Sequence, residues 1–157
     1  MQDKERLDRL TETIIGVAID VHRMLGPGLL ESVYESCLSL ELTARGLSID
    51  RQRALPLIYK GTRLECAYRV DLVVENEVII EIKAVEQLLP IHAAQLLSYL
   101  RLSNLRVGLL INFDVTALQR GIRRVVNDYP DPLRPLRPSA ASAWKSPAPC
   151  ASGGRAS

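Results

Sequence analysis

The sequence predicts an α/β domain whose helices flank a mixed β-sheet, in the order α-α-β-β-β-α-β. Three observations point there. Two segments with apolar residues at three- and four-residue spacing open the chain. Alternating or apolar runs follow, divided by turn signals. A helical segment then lies between two apolar runs, and a helical crossover between strands implies a parallel pair.

The first helix covers residues 7–25. Leu7, Leu10, Ile14, Val17, Val21 and Leu25 recur at helical spacing, and Gly26-Pro27-Gly28 stops the run. A second helix spans 29–45. It buries Leu30, Val33, Tyr34, Cys37, Leu38 and Leu42, and Gly46 ends it. Residues 48–74 hold two alternating runs around Lys60-Gly61, which is a hairpin signal. Pro56 marks the first of these strands as an edge or irregular strand, because proline has no N–H for a ladder.

Glu75-Asn76-Glu77 makes the next turn, with Asn76 suited to a left-handed backbone. Val78 to Lys83 returns as the third strand. Pro90 stands in the first turn of a helix that reaches about Leu102. Residues 105–113 form an apolar strand. The segment 116–127 stays open: 116–120 is a candidate helical turn and 122–126 a candidate final strand.

Composition changes at residue 128. Prolines at 130, 132, 135, 138, 147 and 149 stand among Ser, Ala and Gly. Such a segment cannot bury enough apolar surface to order itself, so residues 1–127 are expected to form one domain and 128–157 a disordered tail. Trp144 falls in that tail.

Charge excludes a broadly basic surface. The tail carries four basic and two acidic residues, the whole of the net +2, and leaves 16 of each sign in the domain. A local excess runs from Arg45 to Arg69, where six basic residues meet Asp50 and Glu65. Arg51, Arg53, Lys60, Arg63 and Arg69 are candidates for a phosphate-facing patch; edge-strand solubility explains the same residues equally well. Cys37, Cys66 and Cys150 form no CxxC pair, which argues against zinc and a disulfide framework. No apolar run is long enough for a membrane span and the charged N-terminus has no signal-peptide stretch, so the expected location is the cytosol.

The chemistry concentrates in Val70 to Lys83. With Asn76 at the centre of the turn, 74 faces 78, 72 faces 80, and Asp71 faces Glu81. Lys83 shares the face of Glu81. Opposed like charges cost stability, more so when buried. A divalent cation between the carboxylates offsets that cost, and oxygen-only ligands suit Mg²⁺ or Mn²⁺. The Ile82 carbonyl would add a ligand, and Lys83 would face the attacking water or the charge developing on phosphorus. A solvated Asp/Glu/Lys ion-pair network fits the same spacing, and both readings stand on spacing alone. On the following helix His92, Gln95 and Tyr99 share a polar face, which either orients a ligand or faces solvent.

Asp71, then Glu81-Ile82-Lys83, then the QxxxY spacing of Gln95 and Tyr99 resemble the PD-(D/E)XK nuclease superfamily and its RecB-like branch. Gly28, Glu31 and Tyr34 match the GxxExxY pattern of a bacterial group placed in that superfamily. The resemblance runs from about Ile14 to Val126. It implies a restriction-endonuclease-like fold and hydrolysis of DNA phosphodiesters by metal-activated water. It also implies roles. Glu31 is the helix acid that joins Asp71 and Glu81 at the metal. Lys83 is the motif lysine, and Gln95 and Tyr99 support the site. Tyr34 packs beside it. His92 has a weaker claim, and His22 is expected in the core. Val70 stands where the superfamily name has proline. A neutral domain implies weak DNA binding by the isolated chain, so a homo-oligomer or a protein partner would add contact area. The rival reading is a non-catalytic nucleic-acid-binding or assembly module on the same fold. Retention of two repelling carboxylates argues against it.

Overall fold

The computed structural model describes residues 2–127, apart from the side chains of Cys66 and Ala67. The expectation of a disordered tail lies outside these residues. The elements are α1 (Gln2–Leu25), α2 (Glu31–Ala44), β1 (Ile49–Tyr59), β2 (Thr62–Val74), β3 (Val78–Lys83), α3 (Pro90–Ser103), β4 (Val107–Asn112), a 3₁₀ turn (Leu118–Gly121) and β5 (Ile122–Val126). The expected order is present, and the open segment resolves into a 3₁₀ turn and a fifth strand. The first helix starts at Gln2 rather than residue 7, because Asp3 and Glu5 suit the positive end of a helix even without apolar spacing. The second starts at Glu31 rather than 29, with Leu30 extended at its N-cap.

The sheet order is β1-β2-β3-β4-β5. The pair β3–β4 is parallel, from Val78↔Val107 to Lys83↔Asn112, as a helical crossover requires. The other pairs are antiparallel. Lys60 and Gly61 both take positive φ in the two-residue turn between Tyr59 and Thr62. Pro56 sits on the edge strand where the β1–β2 register shifts, between Leu55 and Leu57.

Helices cover both faces of the sheet, which explains why β3 and β4 are apolar almost throughout. Under α1 and α2 lie Ile14, Val17, Tyr34, Leu38, Leu72, Ile80, Ile82, Leu109 and Ile111. Under α3 lie Leu55, Val70, Val73, Ile79, Leu96, Tyr99, Leu100 and Leu110. Gly108 lets α3 come close, since a Cβ there would stand 2.8 Å from Leu96 Cδ1. Side chains along β2 alternate from Val74 to Leu72. Val70 then joins Val73 on the α3 side, so the alternation is interrupted at Asp71.

Two devices fix the loops around one end of β3. Gly26 and Gly28 turn the α1–α2 connection at φ +71° and +96°. The Tyr34 hydroxyl closes it, donating to the Gly26 carbonyl at 2.6 Å and accepting the Leu29 N–H at 3.1 Å. The Tyr34 ring stacks on Phe113 at 4.4 Å. On the other side, buried Asn112 holds the chain that leaves β3. Its Oδ1 accepts the Val85 N–H at 3.1 Å, and its Nδ2 donates to the Val85 carbonyl at 2.8 Å.

Candidate active site

The β2–β3 ladder runs from Val74↔Val78 to Leu72↔Ile80. One residue further, Asp71 and Glu81 stand opposite each other, and side chains take over the bonding. Glu81 Oε1 accepts the Asp71 N–H at 3.2 Å. Asp71 Oδ2 accepts the Ile82 N–H at 2.8 Å. Each carboxylate thus occupies an amide of the facing strand. In a strand the N–H and C=O of one residue point to the same edge, so the Ile82 carbonyl faces Asp71. Glu31, in the first turn of α2, accepts the Ala84 N–H at 3.1 Å, just past the end of β3. Leu29, Leu30, Glu31, Ser32 and Ala84 line an open groove there.

The electrostatics are adverse without a counter-charge. Burial pushes the Glu81 carboxyl up to about 8, and the neighbouring Asp71 charge adds to the shift; the Asp71 N–H and the Lys83 ammonium oppose it. Asp71 is raised as well, first by burial and further by Glu35 and Glu31, against the bonds from Ile82 and Gln52. The pair therefore holds a proton around neutrality. Tyr99 joins the same field. Burial first, then the Glu81 charge, pushes its phenol up to about 12, so the O–H is kept. Gln95 hydrogen-bonds to the Tyr99 side chain, and the Tyr68 ring packs against it at 5.4 Å.

A hard divalent cation fits the donor set: three carboxylates and a peptide carbonyl, all oxygen, around one strand end. Among the described residues no three His, Cys, Asp or Glu side chains are drawn together as a ready cation cage. Each of the three carboxylates instead accepts a backbone N–H: Glu81 from Asp71, Asp71 from Ile82 and Glu31 from Ala84.

The remaining candidates separate. His92 Nδ1 accepts the Leu89 N–H at 3.0 Å and the His92 N–H returns to the Leu89 carbonyl, so this histidine caps α3. His22 is buried, with Nε2 on the Val115 carbonyl at 2.8 Å. The basic residues do not present a row of free cations. Arg51 pairs with Glu35 at 3.2 Å, Arg53 with Asp50 at 2.5 Å, and Arg63 with Glu65. Lys60 lies over the Tyr59 ring, and Arg69 is exposed.

Two residues at the site were missed by sequence reasoning. Glu35 is buried one helical turn after Glu31, and that i,i+4 spacing was a readable signal. Gln52 bridges Glu35 Oε2 at 2.8 Å and Asp71 Oδ1 at 3.3 Å. Its φ of +51° is rare for a non-glycine residue and costs roughly 1–3 kcal/mol. Nothing in the sequence marks it.

Comparison with curated proteins and with solved structures returns no match. The family model of the PD-(D/E)XK nuclease superfamily matches residues 8–125, a span that contains every element from α1 to β5 except the first six residues of α1 and the last residue of β5. The α/β architecture agrees with the restriction-endonuclease-like fold. By that match over most of its length, the chain belongs to the PD-(D/E)XK nuclease superfamily.

Proposed function

We propose that this protein is a Mg²⁺- or Mn²⁺-dependent nuclease that hydrolyses DNA phosphodiester bonds at the end of β3. One observation carries the reading. Asp71 and Glu81 are opposed where the ladder ends, and burial makes their mutual repulsion costly. A proton relieves that repulsion only until Glu81 ionises; once both are charged, a cation is the counter-charge that the arrangement calls for.

Glu31, Asp71, Glu81 and the Ile82 carbonyl would hold the ion. A divalent cation in such a site supplies Lewis acidity toward a phosphoryl oxygen and lowers the pKa of water. The chain's own residues do the rest. Lys83, two residues beyond Glu81 on β3, offers positive charge where negative charge grows on the phosphate. Tyr99 keeps its proton and remains a donor beside Glu81, and Gln95 orients it. Asn112 and Tyr34 fix the loops on either side of the strand end, so the groups stay in register when substrate enters the groove.

The test is cleavage of labelled single- and double-stranded DNA, with RNA as a comparison, in Mg²⁺ or Mn²⁺ and in EDTA. Metal-dependent product from DNA supports the proposal. Product in EDTA, or none under any condition, counts against it.

A further inference from the structure

We propose that Gln52 is a positioning residue, which uses a left-handed backbone to set the Asp71 carboxylate for the cation. This rests on the metal-site reading above and deepens it.

The argument starts from register. Arg51 pairs with Leu72 and Arg53 with Val70, so Gln52 and Asp71 face each other between two intact pairs. The register is the same on both sides, so no inserted residue forces a bulge there. Yet Gln52 takes φ +51°, where a side chain is disfavoured, and the alternation of β2 is interrupted at Asp71, directly opposite. Two irregularities facing each other across an otherwise regular ladder form one local feature.

The side-chain bonds say what that feature does. Gln52 Nε2 has two hydrogens and reaches two carboxylates, Glu35 Oε2 and Asp71 Oδ1. Glu35 is anchored in turn by Arg51 at 3.2 Å, and Arg51 also donates to Ser36 Oγ at 3.0 Å. Gln52 is therefore tied to α2, and Asp71 is clamped from two sides, by Gln52 on Oδ1 and by the Ile82 N–H on Oδ2. Each carboxylate oxygen has a second lone pair, so the clamp leaves Asp71 able to bind an ion. A neutral amide suits this position. A lysine here would compete with the cation, and a carboxylate would repel both neighbours. Partners of this kind around a metal ligand govern affinity without touching the metal.

Glycine and asparagine both accept a left-handed backbone, and neither reaches both carboxylates. Gln52→Gly and Gln52→Asn therefore remove the clamp without adding strain. Mn²⁺ affinity is measured by calorimetry on wild type and both variants at one pH. Circular dichroism and thermal melts in EDTA check the fold. The expected result is Mn²⁺ binding weaker by about tenfold or more in both variants, with native spectra. Wild-type affinity in either folded variant overturns the inference and leaves the metal site standing. Absence of Mn²⁺ binding in wild type overturns the metal site, and the inference with it.

Discussion

Glu81 accepts the backbone N–H of Asp71 at 3.2 Å, across two strands whose ladder has just ended. That contact joins a buried acid to the amide of another acid. It keeps the hairpin closed at the cost of holding two carboxyl groups side by side, and the consequences are measurable.

Stability without metal should fall as pH rises. Folded Glu81 titrates at about 8, above its ordinary 4.5, so between those values the folded chain binds more protons than the unfolded chain. Stability is then greatest near the unfolded value and is lost as pH climbs through the folded one. The raised Asp71 pulls the same way. Urea melts in EDTA at about pH 5 and about pH 8.5 should give the lower midpoint at the higher pH, and Glu81→Gln should flatten the difference. A midpoint that rises with pH would contradict the assigned burial of Glu81.

Cation binding should show the mirror image. A carboxyl must lose its proton to bind a metal, so Mn²⁺ affinity should increase as pH approaches the Glu81 value. Calorimetry in buffers of different ionisation enthalpy should report proton release on binding. Binding that is flat with pH and releases no proton would exclude Glu81 from the site.

Lys83→Ala should separate chemistry from binding. Lysine is a cation and no ligand, so Mn²⁺ should still bind. Cleavage should fall by about 10²–10³-fold, the scale of losing one group that stabilises transition-state charge. A variant that cuts at the wild-type rate would make Lys83 structural.

Tyr34→Phe should act on the fold. It keeps the ring against Phe113 and removes the hydroxyl that bridges Gly26 and Leu29. The loss should be roughly 1–3 kcal/mol of stability, the penalty for partly buried groups left unpaired. Thermal melts would show it, and a melting temperature equal to wild type would mean the loop closes without the hydroxyl.

The strands and helices were legible because each is marked locally. Helical spacing ended by Gly26-Pro27-Gly28 gave α1, Lys60-Gly61 gave the hairpin, and apolar runs around a helix gave the parallel pair. Asp71 and Glu81 were legible because charge is conspicuous in an apolar hairpin. Glu35 was missed although its spacing from Glu31 showed it. Asn112 passed unremarked in a strand read as apolar, and its bond to Val85 depends on a loop that no periodicity places. Gln52 could not be read, because a left-handed glutamine is a property of the assembled sheet. Positive charge was legible only as a cluster: Arg51, Arg53 and Arg63 lie close in sequence, and the carboxylate that each meets comes from the fold.

The claim that Asp71 and Glu81 are opposed for the sake of an ion is tested most directly by thermal melts of wild type and Glu81→Gln, each in EDTA and in Mn²⁺, at about pH 8.5. Glu81→Gln is the better probe than Asp71→Asn. Both Asp71 oxygens accept an N–H, so an amide there also breaks a bond, whereas an amide at 81 keeps Oε1 for the Asp71 N–H. The variant should be more stable than wild type in EDTA, by roughly 0.2–1 kcal/mol on the scale of cross-strand pairs. Mn²⁺ should raise the melting temperature of wild type and leave the variant almost unmoved. A variant that is less stable than wild type in EDTA, yet still gains stability from Mn²⁺ as wild type does, would contradict the claim.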